Sequence, residues 1–229
     1  MKIIFVTALA VSILSFVNVS STQTERYDEA EIYCQSIQVD FEKIAITYEL
    51  DYKEVLPIVF PECTRFSQFS DQMETTALEY FYVKYGSEGA NFSIGRFQMK
   101  PSFIEQLEKE IPSLELSEVQ KKRFDFESSE DKKIRSERVS RLTETTWQIH
   151  YLCLFYKVMD KRMEHRVWQS RAARVAYYAA AYNYGFLSSE TEIEAWQLQS
   201  KFPTDEYGGK APYSQIASDY YLKIAGYEN

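Results

Sequence analysis

The sequence predicts a single, mainly α-helical domain with one short extended element near residues 92–98. Its 229 residues include only 7 Gly and 6 Pro, which favours long helices over a loop-rich β sandwich. Apolar side chains also recur at three- and four-residue steps in several segments, as on one face of an amphipathic helix. The composition is 45% apolar and 26% charged, so the chain is expected to fold around a hydrophobic core.

The predicted helices follow one another along the chain with few interruptions. They cover residues 25–49, 72–85, 101–107, 147–158, 171–182 and 213–224. Asp51 is a suitable N-cap for a further, short helix, which Pro57 and Pro61 should kink or end early. Gly86 is the expected C-cap of the helix over 72–85, and residues 91–99 alternate enough to be extended. Residues 118–141 carry interleaved charges of both signs, which predicts a solvated helix surface.

Residues 1–21 are predicted to be a secretory signal peptide. Lys2 is followed by an uncharged, mostly apolar run over residues 3–17 and then by small and polar residues, as in a signal with a cleavage site. The run is shorter than the roughly 20 residues that span a bilayer, so we favour cleavage over a membrane anchor. Residues 22–229 are then expected to form one domain that is periplasmic or secreted and not stably inserted in a membrane.

Charge and composition exclude several classes of function. The formal net charge is -8, so nucleic acid is not an expected partner. The two His and three Cys show no ligand spacing, so we predict no metal site and no cofactor. Three cysteines cannot all pair within one chain. No spacing identifies a pair, and each could equally be a buried thiol.

Three short segments contain the candidate functional residues. Residues 59–66 (VFPECTRF) place Glu62 among bulky apolar residues at a helix end. Residues 92–101 (FSIGRFQMKP) contain a glycine and a glutamine, and residues 179–185 (AAAYNYG) end an Ala-rich helix. Taken singly, the first could be a surface carboxylate, the second a turn, and the third a tightly packed helix with a Gly C-cap.

Read together, the three segments resemble the soluble lytic transglycosylase family of the lysozyme-like superfamily. That family carries a Glu-Ser pair at a helix end, then a Gly-Leu-Met-Gln-Ile stretch, then Ala-Ala-Tyr-Asn-Ala-Gly. The corresponding segments here are Glu62-Cys63, residues 95–99 (GRFQM) and residues 180–185 (AAYNYG). The resemblance covers about residues 40–225 and implies a lysozyme-like α-helical domain.

The resemblance implies cleavage of peptidoglycan glycan strands between N-acetylmuramic acid and N-acetylglucosamine. Glu62 would be the single catalytic acid/base, with the hydroxyl of Tyr182 approaching its carboxyl. The residues implied for the substrate cleft are Gly95, Phe97, Gln98, Tyr182 and Asn183. Apolar neighbours, with Phe60, Phe66, Phe97 and Tyr182 as candidates, should disfavour the ionised carboxylate and raise its pKa.

Alternatives to this assignment stay open at the level of sequence. The protein could be a muramidase-type hydrolase on the same fold, or an inactive peptidoglycan-binding or envelope module in which Pro61 and Cys63 have impaired the acid. Rival acids lie in the long segment between the first two motifs: Glu74, Glu79 and Glu88. We favour Glu62 because the acid should lie at the end of an apolar helix. Arg96 is expected to form a surface ion pair or to contact an acidic peptide stem.

Overall fold

The computed structural model describes residues 23–203 and 209–226, and the mainly α class is confirmed. The helices are α1 (Gln23–Thr47), α2 (Tyr52–Val55), α3 (Phe60–Cys63), α4 (Gln68–Ala77), α5 (Val83–Tyr85), α6 (Pro101–Glu110), α7 (Glu118–Arg123), α8 (Asp131–Thr143), α9 (Thr145–Arg162), α10 (Arg171–Tyr184), α11 (Glu190–Gln197) and α12 (Tyr213–Ala225). Two strands, β1 (Ser200–Pro203) and β2 (Lys210–Pro212), pair antiparallel. Within these ranges no helix has the length and apolarity to cross a bilayer. The predicted signal peptide lies outside the described residues.

Two prolines interrupt the helical segment that leads to Glu62, as predicted. The Asp51 carboxylate caps α2 by accepting a hydrogen bond of 3.0 Å from the backbone N–H of Lys53. The chain then tightens into a 3₁₀ turn at Leu56–Val59 and resumes as α3. Pro57 and Pro61 each occupy a first-turn position, where the missing N–H has no intrahelical partner to lose. The whole stretch from Val55 to Cys63 is buried, so Glu62 lies on a segment that is packed into the interior.

Helix α9 is the centre of the core, as its apolar periodicity predicted. Nearly every side chain from Gln148 to Met159 is buried, and α9 packs against α1, α6 and α8. Helix α10 packs against α12 and α11. Three consecutive alanines of α10, at positions 179–181, are completely buried. Their small side chains allow neighbouring elements to approach the α10 backbone closely.

The structure corrects the predicted position of the β element. Near residues 92–98 only one antiparallel bridge forms, between Ile94 and Met99, and it closes a tight turn. The two-stranded sheet lies instead at residues 200–203 and 210–212, with Phe202 opposite Ala211. Strands of four and three residues are too short for an alternating pattern to be recognised. Helix α11, which precedes this sheet, was also not predicted.

The charged segment at 118–141 is not simply a solvated surface. It forms two helices, α7 and α8, and α8 buries Arg138 and Arg141. The Arg138 guanidinium pairs with Glu108 at 2.6 Å. That of Arg141 lies 4.2 Å from the ring centre of Trp147. Arginine can be buried in this way because its planar head both forks onto a carboxylate and stacks on aromatic rings.

Candidate active site

Side chains from all three sequence segments line one groove of about 350 Å³. The lining residues are Glu62, Arg65, Ser93, Gln98, Met99, Lys100, Ser102, Phe103, Gln106, Tyr182, Asn183, Tyr184 and Gly185. Helices α3, α6 and α10 therefore all contribute residues to the lining of this groove. Glu62, Gln98 and Tyr182 share this groove, which was the placement expected from the sequence.

The Glu62 carboxyl is held in a buried, partly polar corner of the groove. Only 8% of the residue is exposed. The Asn183 amide donates a hydrogen bond of 3.2 Å to Oε1, and Nη1 of Arg65 lies 3.8 Å from Oε2. Burial raises the pKa of the Glu62 carboxyl, and this effect exceeds the opposing influence of Arg65 and Asn183. The group therefore keeps its proton to a higher pH than an ordinary glutamic acid.

The aromatic residues proposed as neighbours of Glu62 also have contacts of their own. Phe60 stacks on Tyr220 with ring centres 3.8 Å apart, Phe66 lies under Arg96, and the Phe97 side chain is fully buried. Burial is the largest influence on the Glu62 carboxyl and raises its pKa, as predicted, whereas the polar and charged groups of Arg65, Asn183 and Tyr213 lower it.

Two tyrosine hydroxyls lie near the carboxyl, and the sequence identified only one of them. Tyr182 was expected to direct its hydroxyl to Glu62, but it donates a hydrogen bond of 2.6 Å to the carbonyl oxygen of Phe97. The Tyr213 hydroxyl donates to the carbonyl of Ile58 at 3.0 Å and also interacts with the Glu62 carboxylate, lowering its pKa. No motif marks Tyr213, because it lies at the start of α12, far from the other site residues in sequence.

Replacing Tyr213 with Phe is expected to raise the pKa of Glu62. The hydroxyl can share its one proton between the Ile58 carbonyl and the ionised carboxylate, so without the hydroxyl Glu62 holds its own proton to a higher pH. The pKa can be followed by NMR titration of side-chain-labelled glutamates, with the Glu62 signal assigned from its absence in Glu62→Gln. Tyr178→Phe is the matched control, because that buried hydroxyl donates to Asp160 instead and should leave Glu62 unchanged. An unchanged or lower Glu62 pKa in Tyr213→Phe would contradict the assigned contact.

Gly95 and Phe97, both predicted to bind substrate, are structural residues of the turn and do not line the groove. Gly95 has a φ of +75°, and a Cβ atom there would lie 1.6 Å from Nε2 of Gln148. The Phe97 side chain is 0% exposed, and its N–H donates a hydrogen bond of 3.0 Å to Oε1 of Gln148. The N–H of Gly95 donates to the Asp71 carboxylate at 2.5 Å. These contacts anchor the turn to α4 and α9.

Gln98 is the residue of this turn that faces the groove. Its backbone has a φ of +51°, and its amide nitrogen donates to the Gly95 carbonyl at 2.9 Å. Among the described residues its amide oxygen has no hydrogen-bond partner, so it is available as an acceptor on the groove wall. The same turn orients Arg96, whose guanidinium lies 4.7 Å and 4.2 Å from the ring centres of Tyr33 and Phe66. Within the described residues Arg96 forms no ion pair, and its guanidinium stacks on these aromatic rings instead.

The orientation of Asn183 is set by Trp196. The indole Nε1 donates a hydrogen bond of 3.0 Å to Oδ1 of Asn183, and an indole N–H can only donate. The amide nitrogen of Asn183 must then face Glu62. Trp196 lies on α11, and its ring packs against that of Tyr184 with centres 5.0 Å apart.

None of the rival acids lies in the groove. Glu79 and Glu88 are exposed, and Glu74 is half-buried on α4. Of all the carboxylates in the described ranges, only that of Glu62 lines the groove. The same ranges contain no group of three His, Cys, Asp or Glu side chains able to hold a metal ion.

Cys63, the residue after Glu62, has its thiol in contact with the turn that carries Gln98. Its Sγ lies 3.7 Å from the carbonyl oxygen of Arg96. The hydrogen bond with the thiol of Cys34 has the largest effect and raises the pKa of the Cys63 thiol, and burial raises it further. Cys34, Cys63 and Cys153 are all buried free thiols. The thiol of Cys63 thus belongs to the contact between α1 and α3.

The groove unites the three sequence segments around one buried carboxylic acid, one amide that touches it, and two basic side chains. Its chemistry suits proton donation to a ligand in the groove. Compared with protein-family models, curated proteins and solved structures, the chain matches none of them significantly.

Proposed function

We propose that this protein is a peptidoglycan lytic transglycosylase that uses Glu62 as its single acid/base. The observation that carries the proposal is a buried carboxyl with a raised pKa that is the only described carboxylate lining the groove. A glycosidic oxygen leaves readily only when it is protonated, and a carboxyl with a raised pKa holds the proton it must donate to a higher pH than an ordinary glutamic acid does. A carboxyl in an apolar lysozyme pocket is the well-known precedent for this device.

The proposed reaction has two proton transfers through one carboxyl. Glu62 gives its proton to the oxygen that bridges the muramyl and glucosaminyl residues, and the muramyl C1–O bond breaks. The substrate's own acetamido group stabilises the positive charge at C1. The Glu62 carboxylate then takes the proton of the muramyl 6-hydroxyl as that oxygen bonds to C1. The products are a 1,6-anhydromuramyl end and a new glucosaminyl hydroxyl, and no water is consumed.

The lack of a second carboxylate among the described groove residues favours this reaction over hydrolysis. Glycosidases that retain configuration pair two carboxyls about 5–5.5 Å apart, and those that invert it use about 6.5–9.5 Å. The groove residues that could assist Glu62 are amides, hydroxyls and cations: Asn183, Gln98, Tyr182, Arg65 and Lys100. These groups can position a neutral sugar but cannot act as the second carboxylate.

Mass spectrometry of the soluble products from purified peptidoglycan tests the proposal directly. We expect anhydromuropeptides, which lack one water relative to the corresponding reducing muropeptides. Reducing muramyl ends would identify a muramidase-type hydrolase instead. Retention of the protein on sacculi without soluble fragments would identify an inactive peptidoglycan-binding module.

The proposal also requires the protein to reach the cell wall. We propose that the predicted signal peptide over residues 1–21 directs export and is removed, so that the mature protein acts in the periplasm or outside the cell on glycan strands. N-terminal sequencing of the protein recovered outside the cytoplasm tests this step. Protein that begins near residue 22 is expected, and an intact N-terminus in the cytoplasm would contradict it.

A further inference from the structure

The groove carries positive charge although the chain as a whole has a formal net charge of -8. Arg65 and Lys100 both line it, and Glu62 is its only described anionic residue. When the buried acid is protonated, the groove contains two cations and no anion. A concave site lined by charges of one sign attracts ligands of the opposite charge more strongly than the net charge of the whole protein suggests.

Both cations are available to a ligand. The Lys100 ammonium has no ion-pair partner within the described part of the chain. The Arg65 side chain is 46% exposed, and its ion-pair contact is the 3.8 Å approach to Glu62. Its guanidinium also lies 5.2 Å from the ring centre of Phe202 on β1, and this ring limits where the head can move. Arg65 is thus positioned at the groove, and its charge is free to pair with a ligand when Glu62 is protonated.

Helix α6 adds to the same field. It begins with Pro101 beside Lys100, and its first-turn residues Ser102 and Phe103 line the groove. The N-terminal end of a helix carries a partial positive charge. The N–H of Ser102 already donates to Asn91 at 3.1 Å, so we assign the helix a supporting electrostatic effect and leave direct binding to the two side chains.

We propose that the groove selects glycan strands that carry carboxylates close to the scissile bond, and that Arg65 and Lys100 bind those carboxylates. This inference rests on the proposed function and narrows its substrate class. Two sources supply the same chemistry in peptidoglycan: the lactyl carboxylate of a muramyl residue without a peptide, and the carboxylates of a peptide stem. Arg binds a carboxylate through two parallel hydrogen bonds, whereas Lys acts as a point charge.

Carboxylate binding at Arg65 has a consequence for the catalytic acid. The charged and titratable groups that interact with Glu62 come from several elements: Arg65, Cys63, Lys100, Tyr182 and Tyr213. Of these, Arg65 has the largest lowering influence on the Glu62 pKa. A substrate carboxylate paired with Arg65 offsets that influence, so the bound complex holds the Glu62 proton more firmly than the free enzyme does.

The test compares strands with free and methyl-esterified carboxylates as matched substrates. One pair of strands is stripped of peptides, so that only the lactyl carboxylate differs; a second pair carries stems, so that only the stem carboxylates differ. For wild-type protein, esterification of the relevant carboxylate should lower kcat/KM about tenfold, as expected for loss of a charge-assisted hydrogen bond. Whichever pair shows the drop identifies the source of the carboxylate.

Charge variants assign the effect to the groove. Arg65→Gln and Lys100→Gln should each reduce the preference for free carboxylates, and the double variant should cleave both forms at similar rates. Arg65→Lys should retain part of the preference for free carboxylates that Arg65→Gln loses. Lys133→Gln removes the same charge from α8, where its ammonium pairs with Glu130 at the surface, and should behave as wild type. Added salt should weaken the wild-type preference, since both cations are accessible to counterions.

The pH profile of cleavage distinguishes carboxylate binding by Arg65 from a purely structural role of that residue. With acidic strands, the alkaline limb of kcat should lie at higher pH than that of kcat/KM, because the first reports the complex and the second the free enzyme. With esterified strands, or in Arg65→Gln, the two limbs should coincide. The inference is overturned if wild-type protein cleaves both forms equally, or if the double variant keeps the full preference.

If the proposed function is wrong, the same experiments give a different result from the one that overturns carboxylate binding. If the wild-type protein cleaves no strand in either form, the proposed function is wrong. Calorimetric binding of the same four strands to wild-type protein and to Glu62→Gln then still decides the inference. Tighter binding of the free-carboxylate strands, lost in the double variant, supports it, and equal binding of free and esterified strands excludes it.

Discussion

Replacing Glu62 with Gln is expected to reduce the release of soluble fragments from peptidoglycan by about 10³-fold, the usual contribution of a positioned general acid and base. Glutamine has the same shape and can still accept the hydrogen bond from Asn183. It cannot give a proton to the bridging oxygen or take one from the muramyl 6-hydroxyl, so both steps are lost together. Fragment release is measured by chromatography of digests at equal protein concentration.

The matched control is Glu88→Gln. Glu88 was one of the rival acids identified in the sequence, and it is exposed and outside the groove. The control should digest peptidoglycan at the wild-type rate. Thermal unfolding of Glu62→Gln should be as cooperative as that of wild type, because glutamine keeps the volume and, like the protonated acid, buries no charge. Undiminished digestion by Glu62→Gln, or loss of digestion in Glu88→Gln, would end the assignment of Glu62.

Replacing Gly95 with Ala is expected to lower the free energy of unfolding by about 3 kcal/mol, through backbone strain and broken buried hydrogen bonds. The added Cβ would lie 1.6 Å from Nε2 of Gln148, so the Gln148 side chain must move. That side chain donates to the Leu142 carbonyl at 2.6 Å and accepts from the N–H of Phe97 at 3.0 Å. Because Gln148 is 1% exposed, water cannot easily replace these bonds.

Gly226→Ala is the comparison that isolates the clash. Gly226 also has a positive φ, of +82°, but no atom in the described ranges lies within 4 Å of a Cβ placed there. Gly226→Ala should lower the free energy of unfolding by about 1 kcal/mol, the ordinary cost of the left-handed conformation for alanine. Urea unfolding of both variants gives the two values. Equal losses would show that Gln148 adapts without cost and that Gly95 is needed only for its backbone angle.

The local devices near the site could be predicted because they depend on short-range chemistry. The Asp51 cap, the interruptions at Pro57 and Pro61, and the Gly86 helix end all follow from the backbone preferences of single residues. The apolar face of α9 follows from helical periodicity. Glu62, Gln98, Tyr182 and Asn183 were singled out by the resemblance of three segments to one family, and the structure brings these four residues into one groove.

Other features of the site could not be predicted, because they depend on residues that pack together from distant parts of the chain. Trp196 and Tyr213 contact Asn183 and Glu62 but belong to elements without a motif. Gly95 and Phe97 share a motif with Gln98, yet packing against Gln148 makes them supports of the turn. The sequence shows Arg138 and Arg141 only as parts of a charged run, whereas Glu108 and Trp147 provide the partners that bury them.

By itself, then, the sequence determined the helical class and the positions of several helices, since periodicity, caps and proline act over a few residues, and the resemblance of three segments to one family singled out a candidate acid. Only the tertiary structure determined the pKa of that acid. The pKa of Glu62 depends on its burial and on Arg65, Asn183 and Tyr213, which three separate elements bring to it. Desolvation and charge act through space, so their balance exists only once α3, α10 and α12 have packed together.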